Sequence, residues 1–352
     1  MITNNIRFNW IIFILLIGLL NLANINELHA DETGEQSQFN LESYSPQTKK
    51  LCQTVAHISV PSQNQLDEAS KASLKNCDAL DLYYGFNAAP DYDKAFQCAL
   101  MNKDYNVLVM AYANGRGVTF NPDLAMHFAC MMEDAAPAEM DSRIAHLAQI
   151  KEGNKKTSFD ICDDITSGYM MGWCSSIDQR LEDVKRNKKI NDLVSQWTAQ
   201  EQLLYQQVRK TAEVYIRDHS MNEIDLSGTA RSAFAINAQL NLNQRLFELL
   251  QKVNRCETPL MTIKQYEEMD KQLNNIYKKL MADTSSFQYT TVTKEGIKKT
   301  EIAWIQYRDA WIQLARVKCP KISVESWQVL LIQDRIKLLN VVAEYKLIPF
   351  AD

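Results

Sequence analysis

Eight cysteines constrain this chain more than any other feature: Cys52, Cys77, Cys98, Cys130, Cys162, Cys174, Cys256 and Cys319, none of them in a CxxC pair. An even set without metal-type spacing reads as a disulfide framework, provided the chain folds in an oxidising compartment. The N-terminus supplies that condition. Arg7 gives a small positive region, Trp10 to Leu20 is almost unbroken apolar sequence, and Leu28-His29-Ala30 puts a small residue before Asp31. This is the layout of a cleaved secretory signal over residues 1–30. The apolar run is shorter than the roughly 20 residues a membrane span needs. No cysteine follows the cut, so a lipid anchor is not expected, and the mature chain is expected off the membrane in the periplasm or secreted.

Glycine (10) and proline (8) are scarce in 352 residues. With few turns available, long helices are favoured over many short strands, and an all-α fold is expected. A formal net charge of −5 leaves no electrostatic footprint for nucleic acid.

Residues 31–50 are polar and aperiodic and are expected to be a flexible lead-in. A block of short helix pairs follows over 51–152. Its expected helices are Ala69–Tyr84, Pro90–Leu100, Tyr105–Asn114, one opened by Asn121-Pro122, and one from Pro137 to about Ile150. A linker falls at 153–156. From Phe159 the helices lengthen. One apolar face runs through Ile190, Leu193, Val194, Trp197, Leu204, Val208, Thr211 and Tyr215. Ser227-Gly228 breaks the chain. Further stripes run from Phe234 to Val253, Ile263 to Leu280, Ile297 to Ala315 and Trp327 to Ala343. Residues 284–293, rich in Thr and Ser, read as an exposed loop.

Within 51–152, Leu82-Tyr83-Tyr84-Gly85 before Asp93-Lys94-Ala95 is echoed by Met110 to Gly115 before Asp123-Leu124-Ala125. This resembles the Sel-like repeats, relatives of tetratricopeptide repeats, in which paired helices stack as a solenoid and bind proteins. About two units are visible, fewer than the three or so such arrays need. The second block repeats itself. Lys210-Thr211, Tyr215-Ile216 and Arg217-Asp218 are echoed by Lys299-Thr300, Trp304-Ile305 and Arg308-Asp309. Gln244-Arg245 with Leu249-Leu250 is echoed by Gln333-Asp334-Arg335 with Leu338-Leu339, and Asp178–Leu181 by Asp270–Leu273, all at offsets of about 90. One helical unit is therefore expected twice, at 159–256 and 257–345.

The second copy carries Asp270, Leu273, Asn274 and Tyr277, then Trp304, Tyr307, Arg308, Asp309 and Ala310. It resembles the lysozyme-inhibitor LprI family, whose D-x-x-LN-x-x-Y segment precedes a W-x-x-YRDA helix. Cys162, Thr166, Met170 or Met171, and Cys174 match the family's opening. The resemblance implies an envelope or secreted helical protein that binds and inhibits lysozyme. The chain departs from the family in its cysteines: Trp311-Ile312 stand where the family carries one after YRDA, and the last helix has none. Cys319 is therefore expected to pair with Cys256, which precedes the helix antiparallel to the one Cys319 ends, while Cys162–Cys174 would close a short loop at the first copy's start. Cys52, Cys77, Cys98 and Cys130 pair among themselves in one of three ways.

Trp304, Arg308 and Trp311 share a helix face, which suits either an aromatic-arginine hot spot or a partly buried Arg308 bridging to Asp270 or another acid on the neighbouring helix, with Asn274 and Tyr277 in the same polar network. The structural reading is the stronger, because half-satisfied buried charges are costly. His127 and Cys130 share a face, yet a disulfide cysteine beside an ordinary histidine explains them better than zinc. Asp163-Asp164 read as an N-cap and a first-turn acid. No HExxH, GxSxG or Cys-His motif is present, and no catalytic, metal or cofactor site is expected. The partner is then a protein: a lysozyme-like hydrolase or, alternatively, an envelope-delivered toxin neutralised by an immunity protein. A general envelope scaffold, or an enzyme with a site between the blocks, are the remaining readings.

Overall fold

The computed structural model describes residues 41–345 except 133–134, 154–157 and 284–286. The expected signal (1–30) and most of the 153–156 linker lie outside the described residues. Among those described, every regular element is a helix, and all eight cysteines are paired: Cys52–Cys130, Cys77–Cys98, Cys162–Cys174 and Cys256–Cys319.

Seven helices make the first block: α1 (Pro46–Val55), α2 (Glu68–Ser73), α3 (Ala79–Tyr84), α4 (Tyr92–Asn102), α5 (Tyr105–Asn114), α6 (Pro122–Cys130) and α7 (Pro137–Lys151). Their starts are set by short acceptor side chains. Asp78, Asp91, Asp104 and Asn121 each accept from the backbone N–H three residues on, satisfying a donor the helix cannot. Two turns demand glycine. Gly85 ends α3 at φ 75°, and at Gly117 (φ 70°) a Cβ would lie 2.0 Å from the Tyr92 carbonyl oxygen. Val107 to Ala113 are all buried, so α5 is apolar all round and its neighbours pack against every side of it.

Two expectations in this block fail. The helix drawn over Ala69–Tyr84 is two helices, because Asn76 takes a left-handed conformation (φ 64°), Cys77 turns towards Cys98, and Asp78 caps a fresh start. The flexible lead-in ends earlier than residue 50. Leu41 and Tyr44 are buried, and Ser45 caps α1. The Asp141 carboxylate on α7 accepts from the Thr48 hydroxyl (2.6 Å) and the Ser45 N–H (3.1 Å). Polar sequence hid a segment anchored by hydrogen bonds and by Cys52.

The second block is six long helices: α8 (Gly168–Val194), α9 (Ala199–Asn222), α10 (Arg231–Arg255), α11 (Ile263–Ala282), α12 (Lys294–Lys318) and α13 (Val324–Glu344). The stripe from Ile190 to Tyr215 spans two of them. Thr198 and Glu201 form a reciprocal capping box that starts α9, and the reversal lets both segments face one core. Phe234 and Ile263, placed in apolar stripes by their spacing, are 44% and 64% exposed.

Helix order and direction repeat. α8 packs on α10 and α11 on α13, while α9 and α12 form the central pair. That pair is antiparallel: Lys318 meets Glu201 (3.4 Å), Thr300 donates to the Asp218 carbonyl (3.1 Å), and Gly296 packs on Asn222. Tyr215 and Trp304, matched in the sequence repeat, both lie within this helix pair. The α8 echo is out of register. Gln179 bonds Gln239 across α8 and α10, whereas Gln333 meets Met269 across α13 and α11. These contacts match α8 to α11 at an offset of about 85 rather than 92, a slip of about two turns that keeps the same face.

The first block's core reaches Phe159, Ile161, Cys162 and Trp173 at the start of α8. Asn114 exchanges two hydrogen bonds with the Phe159 backbone (2.7 and 2.8 Å), and the Arg180 guanidinium stacks 3.7 Å from the Phe86 ring centroid. No helix among the described residues is long and apolar enough to cross a membrane.

Candidate functional site

The signature residues divide between core and surface. On α11, Leu273 is buried, while Asn274 is exposed and donates to the backbone and side-chain oxygens of Asp270 one turn back (2.8 and 2.9 Å). On α12, Trp304, Tyr307 and Trp311 are core. Tyr307 stacks on Tyr215 at 5.2 Å and meets Trp311 edge-on at 6.2 Å. Tyr277 is half-buried. The expected Arg308–Asp270 bridge is not made. Arg308 lies over the Trp304 ring (5.4 Å) and donates through Nε and Nη2 to its neighbour Asp309 (2.9 and 2.8 Å). A partly exposed guanidinium is satisfied locally and has no need of an acid on another helix.

The buried ion network sits elsewhere. Arg335 on α13 is fully enclosed. It donates from Nη1 and Nη2 to the two Glu223 oxygens (2.7 and 2.6 Å) and from Nε to Glu301 (2.9 Å). His219, one turn before Glu223, places Nδ1 2.7 Å from the same carboxylate. Burial alone would raise the Glu223 carboxyl, but the Arg335 charge and hydrogen bonds overcome it and hold the group down to about 2. Glu301 moves the other way: burial raises it by more than Arg335 lowers it. Burial also raises Tyr215, whose ring lies beside the guanidinium. Bidentate pairing makes this a clamp between α9, α12 and α13. The sequence held a signal for it: Arg335 falls within the apolar stripe of α13, one turn from Leu331 and Leu339, where an arginine must be paired.

Other expectations resolve as follows. Asp163 accepts from the Asp160 N–H (2.8 Å) and Asp164 meets His146 Nδ1 (2.9 Å), so neither caps α8; Ser167 does. The reason is that three residues of loop separate Asp164 from the first turn of α8. His127 is buried with Nδ1 2.9 Å from the Val55 carbonyl oxygen, and Cys130 is bonded to Cys52. No group of three metal-ligating side chains occurs among the described residues.

A groove of about 540 Å³ opens above the ion network, between the 223–230 loop, α10 and α13. His219 and Glu223 reach its floor, Leu242 and Leu338 line it, and Phe234 (44% exposed) and Val341 (47%) stand at its rim. The loop before α12 is tied to the same end: Thr291 accepts from the Leu226 N–H (2.7 Å) and donates its own N–H to Asp225 (3.1 Å). Residues 284–286 of the expected contact loop lie outside the described residues, and Tyr289 beyond them is 72% exposed.

Four disulfides on an all-α bundle suit a protein that folds outside the cytoplasm. Residues 253–338 match the family described as Lysozyme inhibitor LprI. The match runs from the end of α10 through α11 and α12 into α13, about a quarter of the chain, and contains the Cys256–Cys319 bridge. No curated protein and no solved structure matches the chain.

Proposed function

We propose that the protein is a periplasmic or secreted inhibitor that binds a lysozyme or related wall-cleaving enzyme and blocks its substrate cleft, without chemistry of its own. The family match over 253–338, on a disulfide-stapled helical unit, carries this reading. Rigidity suits the task, since a preorganised surface loses little freedom on binding. We place the contact at the groove between α10 and α13 and the adjoining loop, where Phe234, Val341 and Tyr289 expose apolar area beside polar groups. In this reading residues 1–30 are removed on export, and the 51–152 block, as Sel-like repeats, adds a second protein-binding element.

The test is muramidase inhibition. The mature chain, made in an oxidising compartment and free of thiols, is titrated against a panel of lysozymes on cell-wall substrate. Stoichiometric inhibition that reduction abolishes, and that Phe234→Ser with Val341→Ser weakens, supports the reading. Absence of inhibition and of binding at tens of micromolar overturns it.

A further inference from the structure

A second groove, of about 370 Å³, lies among α8, α9 and α10, wholly outside the 253–338 segment. Its character differs from the first. Three arginines line it, Arg186 from α8 and Arg209 and Arg217 from α9, with Asp183 and Glu213 as the acids. Two of its polar side chains are built into the fold yet left with unused donors. The Arg186 side chain is 8% exposed and bonds Asp183 through Nη2, while its Nε and Nη1 make no hydrogen bond among the described residues and are not sealed off by them. Tyr205 is 4% exposed, and its hydroxyl is likewise neither bonded nor sealed. Burial pushes that hydroxyl up to about 12, against the pull of Arg209, so it keeps its proton and can donate.

Burying a guanidinium is costly unless its donors are met, and Arg186 lines this groove with two of its nitrogens unused. Arg209 enters no ion pair among the described residues, and Arg217 is bound to Asp218 outside the lining (3.1 Å). The floor is apolar (Ile190, Ile216, Leu246), and Asn187 and Asn243 add amides. The combination of forked cations, a tyrosine hydroxyl, planar amides and a small apolar floor fits a compact ligand bearing one oxyanion and several hydroxyl or amide groups.

We propose that this groove binds a small acidic ligand of sugar size, its carboxylate or phosphate held by Arg186 and Arg209 and its neutral polar groups by Tyr205, Asn187 and Asn243. The site is independent of the lysozyme reading, because none of its residues lies in the matched segment.

Calorimetric titration of the intact, oxidised protein tests it. The probes are N-acetylmuramic acid as an acidic sugar, inorganic phosphate as the bare anion, and N-acetylglucosamine as the neutral control. The expected result is saturable binding of at least one anionic probe, none of the neutral sugar, and a loss of about ten-fold or more in affinity with Arg209→Gln. Arg209 is exposed, so that variant should melt with the parent protein. Saturation by phosphate alone assigns the anion to a phosphate source, and by the acidic sugar alone to a carboxylate. No saturable heat from either anion up to about 10 mM, equal binding of the neutral sugar, or an unchanged affinity in Arg209→Gln overturns the proposal.

Discussion

Replacing Arg335 with methionine is the sharpest test of how the second block is held together. The wild-type side chain is fully buried and makes three charged hydrogen bonds of 2.6–2.9 Å to Glu223 and Glu301. Methionine fills much of the same volume but leaves the Glu223 carboxylate enclosed with only His219 beside it. Breaking a buried pair from one side costs about 3–5 kcal/mol, because the remaining charge is stranded without solvent. In a domain of this size that lowers the melting temperature by on the order of 10 °C. The stranded group has an escape, which is to take up a proton, so the loss should shrink below pH 5. Adding Glu223→Gln removes the stranded charge, and the double variant should be more stable than Arg335→Met alone. Urea unfolding followed by circular dichroism reads all three proteins. If Arg335→Met stays within about 1 kcal/mol of wild type, or the two changes simply add, the clamp is not what secures α13 to α9.

Three further outcomes are expected. Cys52–Cys130 spans 78 residues and Cys162–Cys174 spans 12. By loop entropy, removing the first pair should therefore cost about 4–5 kcal/mol and the second about 3, as paired alanine variants compared by urea unfolding would show. Stability should fall as pH drops from about 4.5 towards 2. Glu223 is depressed from 4.5 to about 2 in the folded chain, so its contribution is complete above the unfolded value and is lost as pH falls through the folded one. Glu301, shifted upward, acts in the opposite sense and above that window, and in Glu223→Gln the decline in melting temperature between about pH 4.5 and 2 should flatten. Gly117→Ala should cost more than about 1 kcal/mol, since it adds a Cβ 2.0 Å from the Tyr92 carbonyl oxygen to a left-handed residue; thermal melting would detect it.

What could be read from the sequence was periodic or punctuated. Tyr105–Asn114 lies between Asp104 and Gly115, and its helix has those bounds. The stripes of α11 and α13 were visible because each buries one face. The break at Asn76 was not, since no glycine or proline marks it, and it depends on Cys77 meeting a cysteine 21 residues away. The order of the last segment of the lead-in rests on Asp141, 93 residues from Thr48. At the site, the family motif drew attention to Arg308 and away from Arg335. Both arginines stand one turn from apolar residues, so the stripes mark either one for pairing, and only the fold shows that Arg335 is the one enclosed, by Glu223 and Glu301. Both grooves are assembled from helices distant in the chain, and no local spacing announces such a surface.

The clamp also bears on portability. Arg335 belongs to the segment that matches the LprI family, whereas Glu223, its bidentate partner, lies thirty residues before that segment begins. The central helix α12 likewise finds its main partner in α9. A stretch cut out at 253–338 would carry an orphaned cation and an open apolar flank, so it should not survive transplantation into another protein. The unit of sequence kinship here is smaller than the unit that folds. Whatever surface the matched segment offers to a partner, it can offer only with the preceding three helices attached.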